Sequence, residues 1–213
     1  NNLKHLFFGP PSCHHRRMMK KPYSRILIVV AVALLAACQA NLPPEQLPKM
    51  TFKHLSPIQL RVIDIQLVSN FERSADAPHV AHKFPVSPEK ALIQWAEDRL
   101  QIAGKKNTAR FTILRADAQE IQLKTDKSFK GVFKNQQSDR YDTFVEAQLE
   151  ILDERNIRQA IVTAKAEQSI SVSEATPLTD RRKIWYNLVE KLMAQFNTAI
   201  ENRISNNFQG YLF

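Results

Sequence analysis

Apolar and polar residues alternate along four stretches of the chain, and this two-residue period predicts four β-strands. The first, residues 60–68, is rich in β-branched side chains and changes phase at Val62 and Ile63, which indicates a bulge. The others are residues 111–123, 141–151 and 157–172, the last two joined by a hairpin turn at residues 153–156. Residues 69–86 and 124–138 lack this period and are expected to be irregular.

Two further stretches carry apolar residues every three to four positions, which predicts two helices that pack through one face. The first begins with Ser87 as N-cap, followed by Pro88 and Glu89, and is expected to end at Gly104. Its apolar face consists of Leu92, Trp95, Ala96, Leu100 and Ala103. The second opens at Thr176 and Pro177, and its stripe consists of Ile184, Leu188, Leu192, Phe196, Ile200 and Ile204, reinforced by Trp185 and Val189.

The resulting order, β-α-β-β-β-α, predicts an α+β fold in the form of a two-layer sandwich. Two helices would pack on one face of a four-stranded, mostly antiparallel sheet. The last three strands follow one another directly and should form a meander, whereas the first must be joined through the helix by a crossover.

The N-terminal part has a different pattern, which is typical of export. Basic residues at positions 20–25 precede an apolar run at 26–35, and Ala36, Ala37 and Cys38 follow. The run to Ala37 is twelve residues long, short of the ~20 that span a bilayer as a helix. The segment Leu35-Ala36-Ala37-Cys38 resembles the bacterial lipobox, which implies cleavage after Ala37 and lipidation of Cys38. The alternative is a soluble secreted protein in which Cys38 lies near the cleavage site by chance.

These features divide the chain into four parts. Residues 1–17 precede Met18 and Met19 and are interpreted as upstream or added residues, so their Cys13-His14-His15 cluster is set aside as a metal site. Residues 18–37 are the predicted signal peptide, residues 38–57 the lipidated cysteine with a Pro-rich tether, and residues 58–213 a periplasmic α+β domain.

The basic charge lies mainly in the predicted signal segment. The whole chain carries +9, but residues 1–37 hold six Lys or Arg and no acid, which leaves 24 basic and 21 acidic residues from Cys38 onward. That +3 balance is ordinary, so no nucleic-acid partner is predicted. Only four glycines are present, which argues against a dinucleotide or P-loop fold, and no cofactor is predicted.

No catalytic motif is present in the sequence: it contains no GxSxG, HExxH or glycine-rich phosphate loop. We therefore expect a protein that is not an enzyme. The weak ligand or metal candidate is Asp76, His79 and His82, whose side chains could contribute to a zinc site. The alternative is that they are polar loop residues around Pro78 and Pro85. Since zinc needs further ligands that no second motif supplies, no metal is predicted.

Two other groups of residues could form a binding site. Residues 138–142, Ser-Asp-Arg-Tyr-Asp, could form a recognition spot, although a solvated turn with a local ion pair is the competing interpretation. Trp95 and Trp185 could line a ligand site, but their helical spacing favours packing in the core.

The lipobox, the Pro-rich tether and the element order together resemble small Gram-negative envelope lipoproteins, in particular the lipopolysaccharide-assembly lipoprotein and auxiliary lipoproteins of ABC-type lipid transport. The segments 78–85, 95–100 and 139–142 are also similar to a family of proteobacterial lipoproteins without a known activity. The resemblance implies a lipid anchor and an envelope location, but fold-level likeness does not fix a function.

The sequence thus favours a membrane-tethered accessory factor for assembly or transport that works through contacts with an envelope protein partner. The alternative is a small-ligand or lipid-binding module with its site between the helices and the sheet. Gln39, the residue after the lipidated cysteine, is uncharged and does not resemble the Asp that retains enterobacterial lipoproteins in the inner membrane. The outer membrane is therefore expected, with the inner membrane as the alternative.

Overall fold

The computed structural model describes residues 46–124 and 137–213, and Gln46–Phe213 form a unit of their own. The predicted signal peptide, Ala37, Cys38 and Gln39 lie outside the described residues, as does most of the predicted loop at 124–138. The elements in chain order are β1 (Ile58–Leu60), β2 (Asp64–Ser69), α1 (Pro88–Arg99), β3 (Leu100–Ile102), β4 (Thr108–Gln122), β5 (Gln137–Leu152), β6 (Arg158–Ser173) and α2 (Leu178–Asn207). Short 3-10 turns lie at Ala81–Lys83 and Gln209–Tyr211.

The main sheet has the strand order β2-β4-β5-β6. Strand β2 runs parallel to β4, while β4, β5 and β6 are antiparallel neighbours. A smaller sheet pairs β1 with β3 in parallel, and Leu60 also bridges to Leu212. The predicted α+β sandwich, with two helices on one face of a mostly antiparallel four-stranded sheet, is therefore confirmed.

The core lies between the helices and one face of the main sheet. Cross-strand neighbours on that face, such as Phe111, Leu149 and Val162, are all at most 4% exposed. Trp95 packs against Phe111 and edge-on to Phe196, at ring separations of 5.6 and 5.3 Å. The prediction that Trp95 and Trp185 belong to the core is correct, since both are buried.

Helix α1 ends earlier than its apolar period predicted. It stops at Arg99, and Leu100 is the first residue of β3 rather than part of the helix face. The prediction that Gly104 ends the helix is wrong. A Cβ at Gly104 would lie 2.3 Å from the carbonyl carbon of Arg61, so glycine is needed there because two backbone segments approach closely.

The first predicted strand is divided in two. β1 ends at Leu60, the amide of Val62 bonds back to the carbonyl of Leu60 at 2.8 Å, and β2 begins at Asp64. The phase change at Val62 and Ile63 therefore marks a complete interruption, not a bulge. Each half pairs with a different strand, β3 or β4.

The segment before β1 packs on the domain, although the sequence predicted a free tether up to Pro57. Met50 and Phe52 are each 7% exposed and belong to the core. The carboxylate of Asp98 on α1 accepts hydrogen bonds from the Thr51 hydroxyl and the Phe52 amide, both at 2.8 Å.

In the described part of the chain, neither helix is long and apolar enough to cross a bilayer.

Candidate functional site

The first candidate group, Asp76, His79 and His82, does not come together as a ligand set. His79 Nδ1 lies 2.8 Å from the carboxylate of Asp117 on β4, and that carboxylate also accepts from the Ala118 amide and the Gln119 side chain. His82 lies exposed in the first 3-10 turn, and Asp76 bonds to the His79 amide only through its backbone carbonyl. Within residues 46–124 and 137–213, no three His, Cys, Asp or Glu side chains are placed to hold a metal ion.

The His79 contact instead has a clear structural role. The amide of Val80 donates to the Ala118 carbonyl, and the amide of Glu120 donates to the Pro78 carbonyl, at 2.8 and 2.9 Å. Residues 78–80 thus extend the sheet beside β4, beyond the point that β2 reaches. The sequence could not indicate the Asp117 partner, because it lies 38 positions away.

The second candidate group, residues 138–142, lies within β5 rather than in a solvated turn. The Tyr141 hydroxyl donates to Glu120 at 2.6 Å and accepts from Arg181, which also bonds to Asp139 at 2.8 Å. Burial, followed by the hydrogen bond to Glu120, raises the pKa of Tyr141 to about 12. These hydrogen bonds link the start of α2 to strands β4 and β5. The ion pair expected within this segment is present between Arg140 and Asp142.

A third polar group, which no sequence motif indicated, lies between the helices. Arg99 is 1% exposed and bonds to the Ser56 carbonyl at 2.9 Å, to the side-chain oxygen of Asn197 and to Glu201. The same Asn197 oxygen accepts from Trp95 Nε1 at 2.9 Å. Arg99 therefore links α1, α2 and the N-terminal segment, and its positive charge is paired with Glu201 within the domain.

The space between the helices and the sheet is filled by core side chains. Among them, Trp95, Phe111 and Phe196 are each 0% exposed. A groove of about 460 Å³ opens at the side of this layer, and Glu89 and Ile93 on α1 and Ala116 on β4 are among its lining residues. An open groove of about 500 Å³ lies elsewhere, between the N-terminal segment and α2, with Met50, Phe52 and Met193 among its lining residues.

Three strongly exposed apolar residues lie at the edges and the end of the smaller sheet. Phe213 is 79% exposed, Ile63 60% and Ile102 54%. We call these three residues the small-sheet rim. Ile102 lies opposite Leu60 on β1, while the Phe213 amide bonds to the Gln59 carbonyl on the other edge of β1.

A groove of about 430 Å³ opens beside the rim, with Phe213 at its edge. Its lining includes the Arg99–Glu201 ion pair. The apolar lining residues come from the start of β1, the end of α2 and the C-terminal residues, and they are Pro57, Ile58, Ile204, Leu212 and Phe213. Monomer surfaces rarely expose large apolar groups together without a binding role. The rim and its groove are accordingly the strongest candidate for a contact site in the described residues.

Similarity to known proteins adds no assignment: no protein-family model matches the sequence, and no curated protein matches it significantly.

Proposed function

We propose that this protein is a lipoprotein anchored through Cys38 on the periplasmic side of a membrane, where it acts as a non-enzymatic accessory factor by binding an envelope protein. The observation that carries the proposal is the small-sheet rim. Three strongly exposed apolar side chains lie around one short sheet, and one of them, Phe213, also lines a groove of a size that admits a partner's side chains.

The buried charged groups support contact rather than catalysis. Glu89 bonds to Ser69 and Arg73, Arg99 to Asn197 on α2, and Asp117 to His79. Each of these bonds joins separate parts of the fold. The hydrogen bond from Arg73 lowers the pKa of Glu89, which keeps this carboxylate ionised as a structural ion pair.

The length of the tether supports a partner at the membrane. Met50, the first core residue of the domain, follows Cys38 by twelve positions. A fully extended chain covers at most about 3.3–3.6 Å per residue, so these twelve steps reach roughly 40 Å. A domain held so close to the bilayer is suited to a partner that lies in or on the same membrane.

The partner proposal is tested by crosslinking envelopes that contain the wild-type protein, Ile102→Asp or Ile157→Asp. Ile157 is a matched control, because it is 52% exposed but lies in the β5–β6 hairpin. We expect a stoichiometric partner to be captured by the wild type and by Ile157→Asp, and lost with Ile102→Asp. Equal capture by all three chains would contradict a role for the rim, and capture of nothing by the wild type would contradict the accessory function.

The anchor is tested with Cys38→Ala. Each lipid CH₂ that enters the bilayer contributes about 0.8 kcal/mol, so loss of the acyl chains should release the protein from washed membranes and abolish palmitate labelling. Retention of the label in Cys38→Ala would refute the assignment of the lipidated residue.

The membrane is tested by separating inner and outer membranes on a sucrose gradient. We expect the wild type with the outer membrane and Gln39→Asp with the inner membrane. Wild-type protein that migrates with inner-membrane markers would instead favour a component that works beside an inner-membrane transporter.

The alternative function, binding of a small ligand or lipid, is favoured by one observation. The groove of about 500 Å³ between the N-terminal segment and α2 has the volume of a ligand site, with an apolar floor and the polar residues Lys49, His54 and Glu190 among its lining. Native mass spectrometry of protein purified from membranes distinguishes the two functions. A bound molecule that is lost with Ala194→Glu, at an exposed position of the groove lining, would support the alternative.

A further inference from the structure

Strand β6 forms one edge of the main sheet and is long. It has 16 residues, Arg158–Ser173, and it pairs with β5 on one side only among the described residues. Long unpaired edges are templates for another strand, and proteins usually interrupt them with prolines, bulges or charges. β6 contains no proline, and its charged residues are Arg158 at its first position and Lys165 and Glu167 in its middle.

The backbone groups of Lys165 and Glu167 face the free edge. The Gln168 carbonyl accepts a hydrogen bond from the Thr143 hydroxyl on β5, so it points towards the neighbouring strand. Backbone directions alternate along an antiparallel strand. The amides and carbonyls of Lys165 and Glu167, an odd number of positions from Gln168, therefore point away from β5.

We propose that β6 pairs antiparallel with β6 of a second copy of this chain, about a two-fold axis at Ala166. In this register Lys165 of each copy lies opposite Glu167 of the other. A symmetric register centred on Lys165 would place two lysines opposite each other, and one centred on Glu167 would place two glutamates opposite each other. Both are unfavourable. The charges of Lys165 and Glu167 would disfavour pairing with an unrelated strand. In the arrangement around Ala166 they are complementary to those of a second β6.

The charge pattern across the existing sheet continues into this pair. Arg115 on β4 lies opposite Glu146 on β5, which lies opposite Lys165 on β6. The next residue in that row would be Glu167 of the second copy, so the signs alternate across four strands. No other row on this face would place like charges together, since Thr163 meets Ser169 and Ile161 meets Ser171.

The helix-side residues also match in this register. Val162 would lie opposite Ile170 and Ala160 opposite Val172, so these apolar side chains meet under the helix layer. Gln168, which bonds to Gln195 on α2, would lie opposite Ala164. A two-fold axis perpendicular to the sheet places both helix layers on one side. The N-terminal segment packs on that layer, through Asp98 on α1 and next to α2, so the N-terminal segments of both copies lie on the same side of the joint sheet.

Charge reversal tests the proposal on the full-length chain in detergent, with the mass measured by sedimentation equilibrium. We expect dimers for the wild type and for the double variant K165E/E167K. Each single variant, K165E or E167K, replaces two favourable contacts by two unfavourable ones. Its dissociation constant should rise about tenfold or more. A mixture of the two single variants should recover the dimer, because each supplies the charge the other lacks.

A disulfide test checks the register without changing charge. Thr163 lies opposite Ser169 in the proposed pair, and the two are six residues apart along one strand. T163C/S169C should form a covalent dimer on air oxidation, whereas T163C/S171C and the wild type should not. A monomeric wild type, equal masses for all charge variants, or equal crosslinking by both cysteine pairs would each overturn the proposal, and circular dichroism verifies that every variant is folded. Partner capture through the small-sheet rim does not depend on these outcomes.

Discussion

Replacing Asn197 by alanine should destabilise the domain more than its small side chain suggests. The Asn197 oxygen is the shared acceptor for Trp95 Nε1 and for Arg99, and both donors are buried. Leaving a buried donor unpaired costs about 1–3 kcal/mol, more when the donor is charged. Arg99 keeps the Ser56 carbonyl and Glu201, which limits the loss.

Leaving both donors without this acceptor should therefore lower the free energy of unfolding by about 3 kcal/mol, near the cost of breaking a buried ion pair. For a domain of this size, 1 kcal/mol lowers Tm by about 2–4 °C, so Asn197→Ala should melt roughly 6–12 °C below the wild type. Urea unfolding is followed by fluorescence, since Trp95 and Trp185 both become exposed on unfolding.

Two further variants make this prediction specific to the shared oxygen. Asn197→Asp restores an acceptor for both donors and should recover most of the stability. Asn187→Ala, at an exposed position of the same helix, should have a small effect. The reasoning is refuted if Asn197→Ala loses less than about 1 kcal/mol, or if Asn197→Asp is as unstable as Asn197→Ala.

Three other predictions concern separate parts of the fold. Gly104→Ala should cost about 3 kcal/mol by urea unfolding, because its Cβ would overlap the backbone of Arg61. An unchanged midpoint would show that the two segments can move apart. Burial alone would raise the pKa of Asp98, but hydrogen bonds from Phe52, Thr51 and Gln94 outweigh it and hold the pKa below its ordinary 3.8. This stabilisation is present above that value and lost as the pH falls through the lowered pKa, so Asp98→Asn should flatten the acid side of a Tm–pH curve. Tyr141→Phe should remove the tyrosine ionisation near pH 12 from an ultraviolet titration and cost about 1–2 kcal/mol; an unchanged titration curve would assign that ionisation elsewhere.

The sheet and α2 could be predicted because their signals are local. Alternating residues on β5 and the apolar stripe of α2 each repeat over many positions, so one exception does not change the assignment. The end of α1 was misplaced because Leu100 continues the helical period, while the extended conformation depends on pairing with Ile58. Pairing between distant segments leaves no periodic signal.

The candidate site was even less visible in the sequence. Arg99 looks like an ordinary polar position on a helix, and its burial follows only from the approach of Asn197, 98 positions later. Likewise, Phe213 lies beside the smaller sheet only because residues 211–213 return to β1. His79 stood out by residue type, but its partner Asp117 is one of many acids in the sequence.

The contact between the N-terminal segment and α2 has a consequence for the order of folding. Met50, Phe52 and Leu55 share a groove with Tyr186 and Met193. The part of the domain nearest the predicted anchor therefore cannot reach its folded position until the last helix is available. In the proposed export from the N-terminus, the segment that crosses the membrane first would be among the last to reach its folded position. Contacts over such sequence separations slow folding. A nascent chain already held at the bilayer would therefore pass through a period in which Met50 and Phe52 are uncovered, and in that period chaperones would have access to them.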